Sequence, residues 1–584
     1  MLNSNSFNFF HGDALLISVF VFYAISTIYI TVFSIQSIRK RRYSSAFLAI
    51  STLLAAYVIL ATGNDTLHHV LRIDALAQQI ATGSPSPLIE NKATGEVAAI
   101  FLYYSFLPYL LPVALTVAGV ASRVSLQIAE VVYLGLLIYS LRRLVECLPR
   151  PEKKQLAYAA AILFLTANYV YSDWTTRAAI GEICAYALIP MAIVYALEET
   201  SREGMSCEGR SCEGSSWIKL AFIFFLQACA HPIVFAFCAL GTFVSVYAIT
   251  DRPLLKLARP LLTASVAGLA AAAPFWLPAA LFMNDVLGKQ ALPFNFANTF
   301  APPWQVLDPT IFATVGPTMI AFCGYLVYAG WANRDRRLLS CSILFFALLL
   351  MQTWLFAGLI PKIPGLSQIQ FIWRLMFATA VIGFAAALRF SQRDHCGNFA
   401  RLIPVFAIVA VSAFGVRLMT KLPKIVNDVQ KIISPSDRTA ESYFVNFSDE
   451  PESVWGVRLF SPDYANIRSF CPESTPDVFS RVSFADLRKN PVVSTPYVGV
   501  FAGPIDFVTY RAKGENAVLS HCDHVLVLGP LTPGATLSVD ESKLDLAQKS
   551  RAGVLGFAAL IFAAQFMRRR KKGIAGAVKG NAPA

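Results

Sequence analysis

The chain has 584 residues, of which 56% are hydrophobic and 15% charged, with a formal net charge of +13. Its mean hydropathy of +0.54 lies outside the range of soluble globular chains and excludes an ordinary cytosolic enzyme or a disordered polyelectrolyte. Apolar stretches of about 20 residues, the length a helix needs to cross a bilayer, recur along most of it, so the chain reads as an all-α polytopic membrane protein.

Candidate spans fall at 14–35, 44–62, 125–141, 155–172, 182–198, 217–231, 232–249, 261–282, 309–329, 338–358, 374–391, 402–418 and 550–567, about 13 in all. The first lacks the small-residue cleavage pattern of a signal peptide and no positive charge precedes it, which predicts a retained helix. Basic connections recur at Arg39–Arg42, Arg142–Lys154, Asp251–Arg259, Arg334–Arg337 and Arg389–Arg401, and in the tail Arg568–Lys572. All fall on one side if the spans alternate, and lysine and arginine mark the cytoplasmic side. The charge excess is then topological and faces lipid, not nucleic acid. Residues 98–120 are apolar enough to span, yet a full crossing there would put Arg142–Lys154 outside. With Pro108 and Pro112 inside it, the segment reads as an interfacial or re-entrant helix.

In chain order, the first outward loop is the most polar. Asp65, His68, His69 and Arg72 follow directly on an apolar run. Val70, Ile73, Ala77 and Ile80 keep helical spacing, and Asp65, His68, Arg72 and Gln79 cluster on the neighbouring face until Gly83 and Pro85 end the pattern. An acid, an imidazole and a guanidinium could thus point together into a cavity. The structural alternatives are that Asp65 caps this helix, that Arg72 snorkels to headgroups, and that the histidines are interfacial hydrogen-bonders. A second outward loop carries Asp173, Arg177 and Glu182, and charges at that depth usually face a watery or protein-lined pocket. Arg177 suits a phosphate and Glu182 could orient it or a sugar hydroxyl; the alternative is a structural pair closing the loop. His231 stands before Pro232 at a hairpin tip, where a satisfied core histidine is the plainer reading. Gln370, Trp373 and Arg374 mark a further outer re-entry, with Trp373 also explicable as interfacial anchoring.

Eleven cysteines are scattered without CxxC spacing in the spans and cytoplasmic loops, so metal and redox chemistry have no support. Cys471 and Cys522 lie in the long outward segment, where a disulfide could form. The repeated SCEG at Ser206–Gly209 and Ser211–Gly214 reads as a local duplication. Residues 419–549 form the expected outward domain, entered by an amphipathic helix through Ile425, Val426, Val429, Ile432 and Ile433. It continues in strand-like runs at Ser453–Phe460, Val498–Phe501, Ile505–Tyr510 and His524–Leu528. The expected divisions are 1–43, an N-terminal helix and basic loop; 44–418, the membrane core with its outward loop 63–97; 419–549, small and mostly β; and 550–584, a last helix and basic tail.

The segments GNDTLHHVLRIDALAQQIATGSPSP, FLYYSFLPYLLPVAL, SDWTTRAAIGEICAYALIP, ACAHP and IQFIWRLMF resemble, in order and spacing, the bacterial membrane family catalogued as related to 6-pyruvoyl-tetrahydropterin synthase. That name implies no pterin chemistry. The family is similar to the GT-C membrane glycosyltransferases, whose first outward loop holds an acidic catalytic residue and which use polyprenyl-phosphate sugars. The resemblance covers about 44–400 and makes 14–35 an extra helix. The chain departs from the family at Tyr103–Pro108, at Ile372 where a proline is usual, and in lacking the glutamate-tyrosine-leucine-proline motif, for which Ser461–Asn466 is the nearest piece. Acceptor recognition is therefore expected to differ.

The resemblance implies an inner-membrane enzyme that moves a sugar from a polyprenyl-phosphate carrier to an envelope glycan, lipid or protein, on the outer face. Asp65 would be the catalytic base, and Arg72, Arg177 and Arg374 would hold the phosphate. Glu182, His68, His69, His231 and Gln370 complete the candidate substrate-binding set. No cofactor is called for; a divalent ion could bind near Asp65 and His68, but two ligands are too few to predict one. The competing function is a transporter or flippase of lipid-linked sugars, which would place its ionisable residues near mid-membrane. A scaffold protein would leave the outer charges unexplained.

Overall fold

Seventeen helices carry most of the residues that the structure, a computed structural model, describes: 4–60, 65–83, 105–148, 153–202, 216–281, 300–308, 314–363, 372–393 and 402–433, with short pieces between, strands within 479–540 and a few positions of 546–560. In order they are α1 Ser4–Arg39, α2 Tyr43–Leu60, α3 Thr66–Ala81, α4 Leu110–Val117, α5 Ser122–Cys147, α6 Lys154–Leu165, α7 Asn168–Ser172, α8 Ile180–Ala187, α9 Ile189–Arg202, α10 Ser216–Ala230, α11 Pro232–Ile249, α12 Leu254–Ala271, α13 Ala273–Leu281, α14 Pro317–Ala332, α15 Arg336–Met351, α16 Leu375–Ser391 and α17 Ile403–Ile433.

Among the described residues, seven helices are long and apolar enough to cross a membrane: Ser18–Arg39, Ser122–Cys147, Ile180–Thr200, Pro232–Ile249, Leu254–Ala271, Ile372–Ser391 and Ile403–Leu422. Of the other expected spans, 44–62 holds the shorter apolar helix Tyr43–Ile59, 550–567 lies largely outside the described residues, and the rest differ for local reasons. The run 155–172 breaks at Thr166 and Ala167, where α7 starts afresh with Ala167 extended. The run 261–282 is cut between Ala271 and Ala273. Helices α14 and α15 have 16 residues each and α10 has 15. The helix expected at 425–433 is no separate element, since α17 runs unbroken through it.

Within 98–120, residues 99–104 lie outside the described residues, and the part from 105 onward yields one short turn, Leu107–Tyr109, followed by the 8 residues of α4. At 1.5 Å per residue that is about 12 Å, well under the roughly 30 Å of a hydrocarbon core. Two prolines explain the brevity, and α4 packs on α3 and α5.

The chain divides into two compact units. The first holds nearly all the helices, and its centre is α16, 94% of whose apolar window is buried against α6, α11, α14 and α15. That helix is apolar all round, as a helix enclosed by others must be. Arg374 caps its start and Arg389 lies in its last turn, so a charge stands at each end.

One end gathers the basic connections. The Tyr43 amide donates to Gln155 Oε1 at 3.1 Å and Lys153 Nζ to the Arg393 carbonyl at 3.3 Å. Arg389 Nε lies 2.9 Å from Asp335 Oδ2, and its Nη1 2.8 Å from Asp251 Oδ1. The loops that the sequence assigns to one side are thus adjacent in space. The other end holds α3, α4 and the 173–182 loop.

The second unit comprises 85–104, 270–292 and 460–584. Ile89–Glu90 pairs antiparallel with Val97–Ala98. Four strands, Phe479–Val482, Tyr497–Val500, Val525–Gly529 and Val518–Cys522, form one sheet in that spatial order; the first pair is parallel and the others antiparallel. Thr509–Ala512 pairs antiparallel with Leu537–Asp540. Three of the four runs read as strands thus carry strands; Ser453–Phe460 lies outside the described residues, as do Cys471 and the SCEG repeat. Arg551 donates from Nε to the Pro274 carbonyl at 2.9 Å.

Candidate functional site

The 173–182 loop is built on a single π turn. Asp173–Arg177 closes through the Ala178 amide onto the Asp173 carbonyl at 2.8 Å, and Ala178 takes φ 57°, a region that costs a residue with a Cβ. Such one-turn insertions recur at functional sites. This one turns the Arg177 side chain back over its own loop. Arg177 Nη1 lies 2.9 Å from both Asp173 Oδ1 and Glu182 Oε2, and Nη2 donates to Glu182 Oε1 at 3.0 Å.

Glu182 is the hub. Its Oε1 also accepts from Arg374 Nε at 2.9 Å, while Oε2 accepts from the hydroxyls of Tyr169 at 3.3 Å and Tyr186 at 3.4 Å. Arg177, Glu182, Asp173 and Arg374 are all buried. A buried ion pair is a weak source of net stability, but removing one partner costs about 3–5 kcal/mol because it strands the other charge. Behind the pair, the rings of Tyr186 on α8 and Phe377 on α16 stack with centroids 3.5 Å apart.

The Asp65 segment docks on this loop through backbone. The Asp65 amide donates to the Arg177 carbonyl at 2.8 Å, and the Gly63 amide to Thr66 Oγ1 at 2.9 Å. A Cβ on Gly63 would stand 2.5 Å from both Ala178 Cβ and the Arg177 carbonyl carbon, so only glycine permits the approach. Asp65 occupies the N-cap position of α3, but its side chain makes no capping hydrogen bond. Asp65 is half-buried, and its carboxyl lies among Arg177, Glu182, Arg72 and Arg374 instead. Burial holds it above the ordinary carboxylate range, against the pull of the three arginines. Burial likewise raises the Asp173 carboxyl well above its usual value.

Helix α3 presents its next turns to α4. His69 Nδ1 and the Tyr109 hydroxyl lie 2.6 Å apart, and Arg72 Nη1 donates to the same hydroxyl at 3.2 Å. Ile73 and Ala77 are buried as the spacing predicts, whereas Ile80 is exposed. His231 is the N-cap of α11, its Nδ1 accepting from the Val234 amide at 3.3 Å. It is a satisfied structural histidine that also lines the Glu182 hub.

The structure therefore brings together Asp65, His69, Arg72, Arg177, Glu182, His231 and Arg374. The His68 side chain and Gln370 lie outside the described residues. Among the described residues no group of three or more His, Cys, Asp or Glu side chains converges to hold a metal ion.

Sequence reasoning missed four participants, and named Asp173 with its loop without pairing it to Arg177. Tyr109 and Tyr169 lie in apolar runs and carry no periodic signal. Asp173 was legible as an i,i+4 partner of Arg177. Arg417 and Lys421, four residues apart on α17, reach the same loop: Arg417 Nη1 donates to the Tyr171 hydroxyl at 2.6 Å, and Lys421 Nζ to Thr175 Oγ1 at 2.9 Å. Two cations spaced i,i+4 at the end of an apolar run were the available signal.

No family model matches the chain, and no curated protein matches it. Among solved structures it is similar to the arabinofuranosyltransferase AftD from mycobacteria, at 15% identity and a TM-score of 0.40. The match covers 84% of this chain and 40% of that one, so this chain spans about two fifths of that protein's length.

Proposed function

We propose that this multi-pass membrane protein is a glycosyltransferase that moves a sugar from a polyprenyl-phosphate carrier to a hydroxyl of an envelope glycan, lipid or protein. The observation that carries the reading is the half-buried Asp65, its carboxyl raised in pKa, set beside three arginines at the end of the bundle opposite the basic loops. The positive-inside rule puts that end on the outer face of the cytoplasmic membrane.

Asp65 takes the proton of the acceptor hydroxyl. The acceptor oxygen attacks the anomeric carbon, the bond from that carbon to the phosphate oxygen breaks, and its electron pair leaves with the carrier phosphate. A single displacement inverts the sugar carbon. A raised carboxylate pKa makes a stronger base, and negative charge growing on the leaving phosphate calls for fixed cations. Arg72 and Arg374 supply them at the rim of the cluster. Arg177, held in a fork by Glu182 and Asp173, contributes field and rigidity, and Glu182 positions both Arg177 and Arg374.

The purified protein, incubated with a panel of polyprenyl-phosphate sugars and candidate acceptors and read by mass spectrometry, should form glycosylated product. Asp65→Asn should lower transfer by about 100-fold or more, the usual scale of general-base catalysis, with donor binding intact. Transfer at the wild-type rate in Asp65→Asn would remove Asp65 from the chemistry. Donor binding without transfer in any combination would favour movement of the lipid-linked sugar across the membrane.

A further inference from the structure

The strongest feature outside this site lies at the opposite end of the first unit. A cavity of about 390 Å³ opens where the α14–α15 connection meets the end of α16, and Arg334, Arg336, Arg337, Arg389 and Arg393 line it against the single carboxylate of Asp335. Asp251 beside it is shared by Arg389 and Arg393. Among the described residues, five guanidinium groups against two carboxylates leave an excess of three positive charges around this space.

The five arginines divide by what they do. Arg389 is buried and spent on Asp335 and Asp251. Arg337 is spent on the end of α11, where it donates to the carbonyls of Tyr247, Thr250 and Arg252 and lies over the Tyr247 ring. These two fix the walls. Arg334 and Arg336 are exposed at the mouth; Arg393, with 36% of its side chain exposed, faces the same space while pairing with Asp251 at 2.7 Å and Asp335 at 3.2 Å. Arg334 holds φ 55°, where glycine or asparagine is the usual choice, so the turn carries a guanidinium at a conformational cost. Asp335 already caps α15 by accepting from the Arg337 and Leu338 amides, so the cavity is not a bare helix terminus.

We propose that this cavity binds a phosphate-bearing anion, held by Arg334, Arg336 and Arg393. A planar guanidinium fork matches two phosphate oxygens at once, and basic pockets between membrane helices on the cytoplasmic side suit anionic headgroups. Two sources share that chemistry: the phosphodiester of an anionic lipid such as phosphatidylglycerol, and free inorganic phosphate. The site is independent of the proposed transfer reaction.

The test uses the full chain in detergent, loaded with phosphatidylglycerol or with phosphatidylcholine of matched acyl chains and read by native mass spectrometry. In parallel, thermal unfolding is followed with and without millimolar inorganic phosphate. Phosphatidylglycerol should stay bound where phosphatidylcholine is lost, and the doubly substituted Arg334→Gln, Arg336→Gln protein should retain it about tenfold less. Arg336→Lys, which keeps charge but loses the fork, should fall between and guards against a folding defect in the double variant. Arg142→Gln, an exposed arginine paired with Glu146 outside the cavity, should change nothing. Stabilisation by inorganic phosphate that the double variant loses, with no lipid preference, would assign the site to free phosphate. Equal retention and equal phosphate response in wild type and double variant, or an equal fall in Arg142→Gln, would overturn the proposal in favour of a diffuse basic surface.

Discussion

Gly63→Ala tests whether the Asp65 segment is held by the second loop or merely lies beside it. The added Cβ would meet Ala178 Cβ and the Arg177 carbonyl carbon at 2.5 Å and the Ala178 nitrogen at 2.6 Å. Two of these atoms are backbone in a π turn that Asp173 and Arg177 brace, so the turn at Gly63 must move instead. Separation to ordinary contact needs roughly 1 Å, because real Cβ contacts lie near 3.4–4 Å. Overpacking of this kind costs about 1–3 kcal/mol, and loss of the Asp65 amide bond to the Arg177 carbonyl adds about 1 kcal/mol. A displacement of about 1 Å of a catalytic group can also cost about 100-fold in rate. The purified variant should therefore unfold at lower temperature than wild type and transfer sugar about 100-fold more slowly, with polyprenyl-phosphate-sugar binding less affected than turnover. Thermal unfolding in detergent and single-turnover transfer by mass spectrometry read the two effects. Wild-type values in both would refute the docking of Asp65 on the Arg177–Ala178 backbone.

Glu182→Gln removes the carboxylate that two arginines share, and should destabilise the protein by about 3–5 kcal/mol, visible as poor recovery and early thermal unfolding; unchanged recovery would mean that the hub is solvated. Tyr109→Phe strips the hydroxyl common to His69 and Arg72. It should cost about 1–3 kcal/mol in unfolding free energy, and a silent substitution would detach α4 from the site. The Asp65 carboxyl titrates above its unfolded value, so the folded protein binds the proton more tightly and this group's penalty grows as pH rises through the folded pKa. Asp65→Asn should accordingly exceed wild type in thermal stability at pH 8 and lose that advantage as pH falls to about 4, while wild-type transfer falls on the same acid side; a pH-independent difference would contradict burial as the cause. Thr82→Cys at the α3 end and Arg336→Cys at the basic end should react oppositely with a membrane-impermeant thiol reagent in intact cells, Thr82→Cys alone being labelled; the reverse would invert the orientation.

The helical, membrane-spanning character was legible in composition alone, because the bilayer demands long apolar runs and nothing else in this chain could bury them. The positions of α3 and of the short α4 followed from spacing and from Pro108 and Pro112, whose rings interrupt backbone hydrogen bonding. Side-by-side basic loops followed from charge and length. The number of long helices did not: apolar runs look continuous in sequence, and only tertiary packing decided that 155–172 and 261–282 break. Nor did the sequence rank the charged residues of the site. Arg177 and Glu182 read equally as a phosphate clamp and as a closing pair, since a side chain's partner depends on which helices become neighbours. The packing of α16 against α8 brought Arg374 to Glu182 across 192 positions of sequence, and α17 carried Arg417 to Tyr171 across 246. Local periodicity names the residues that can meet within a turn or two; contacts over such separations are set by the three-dimensional arrangement of the bundle, which only the folded structure contains.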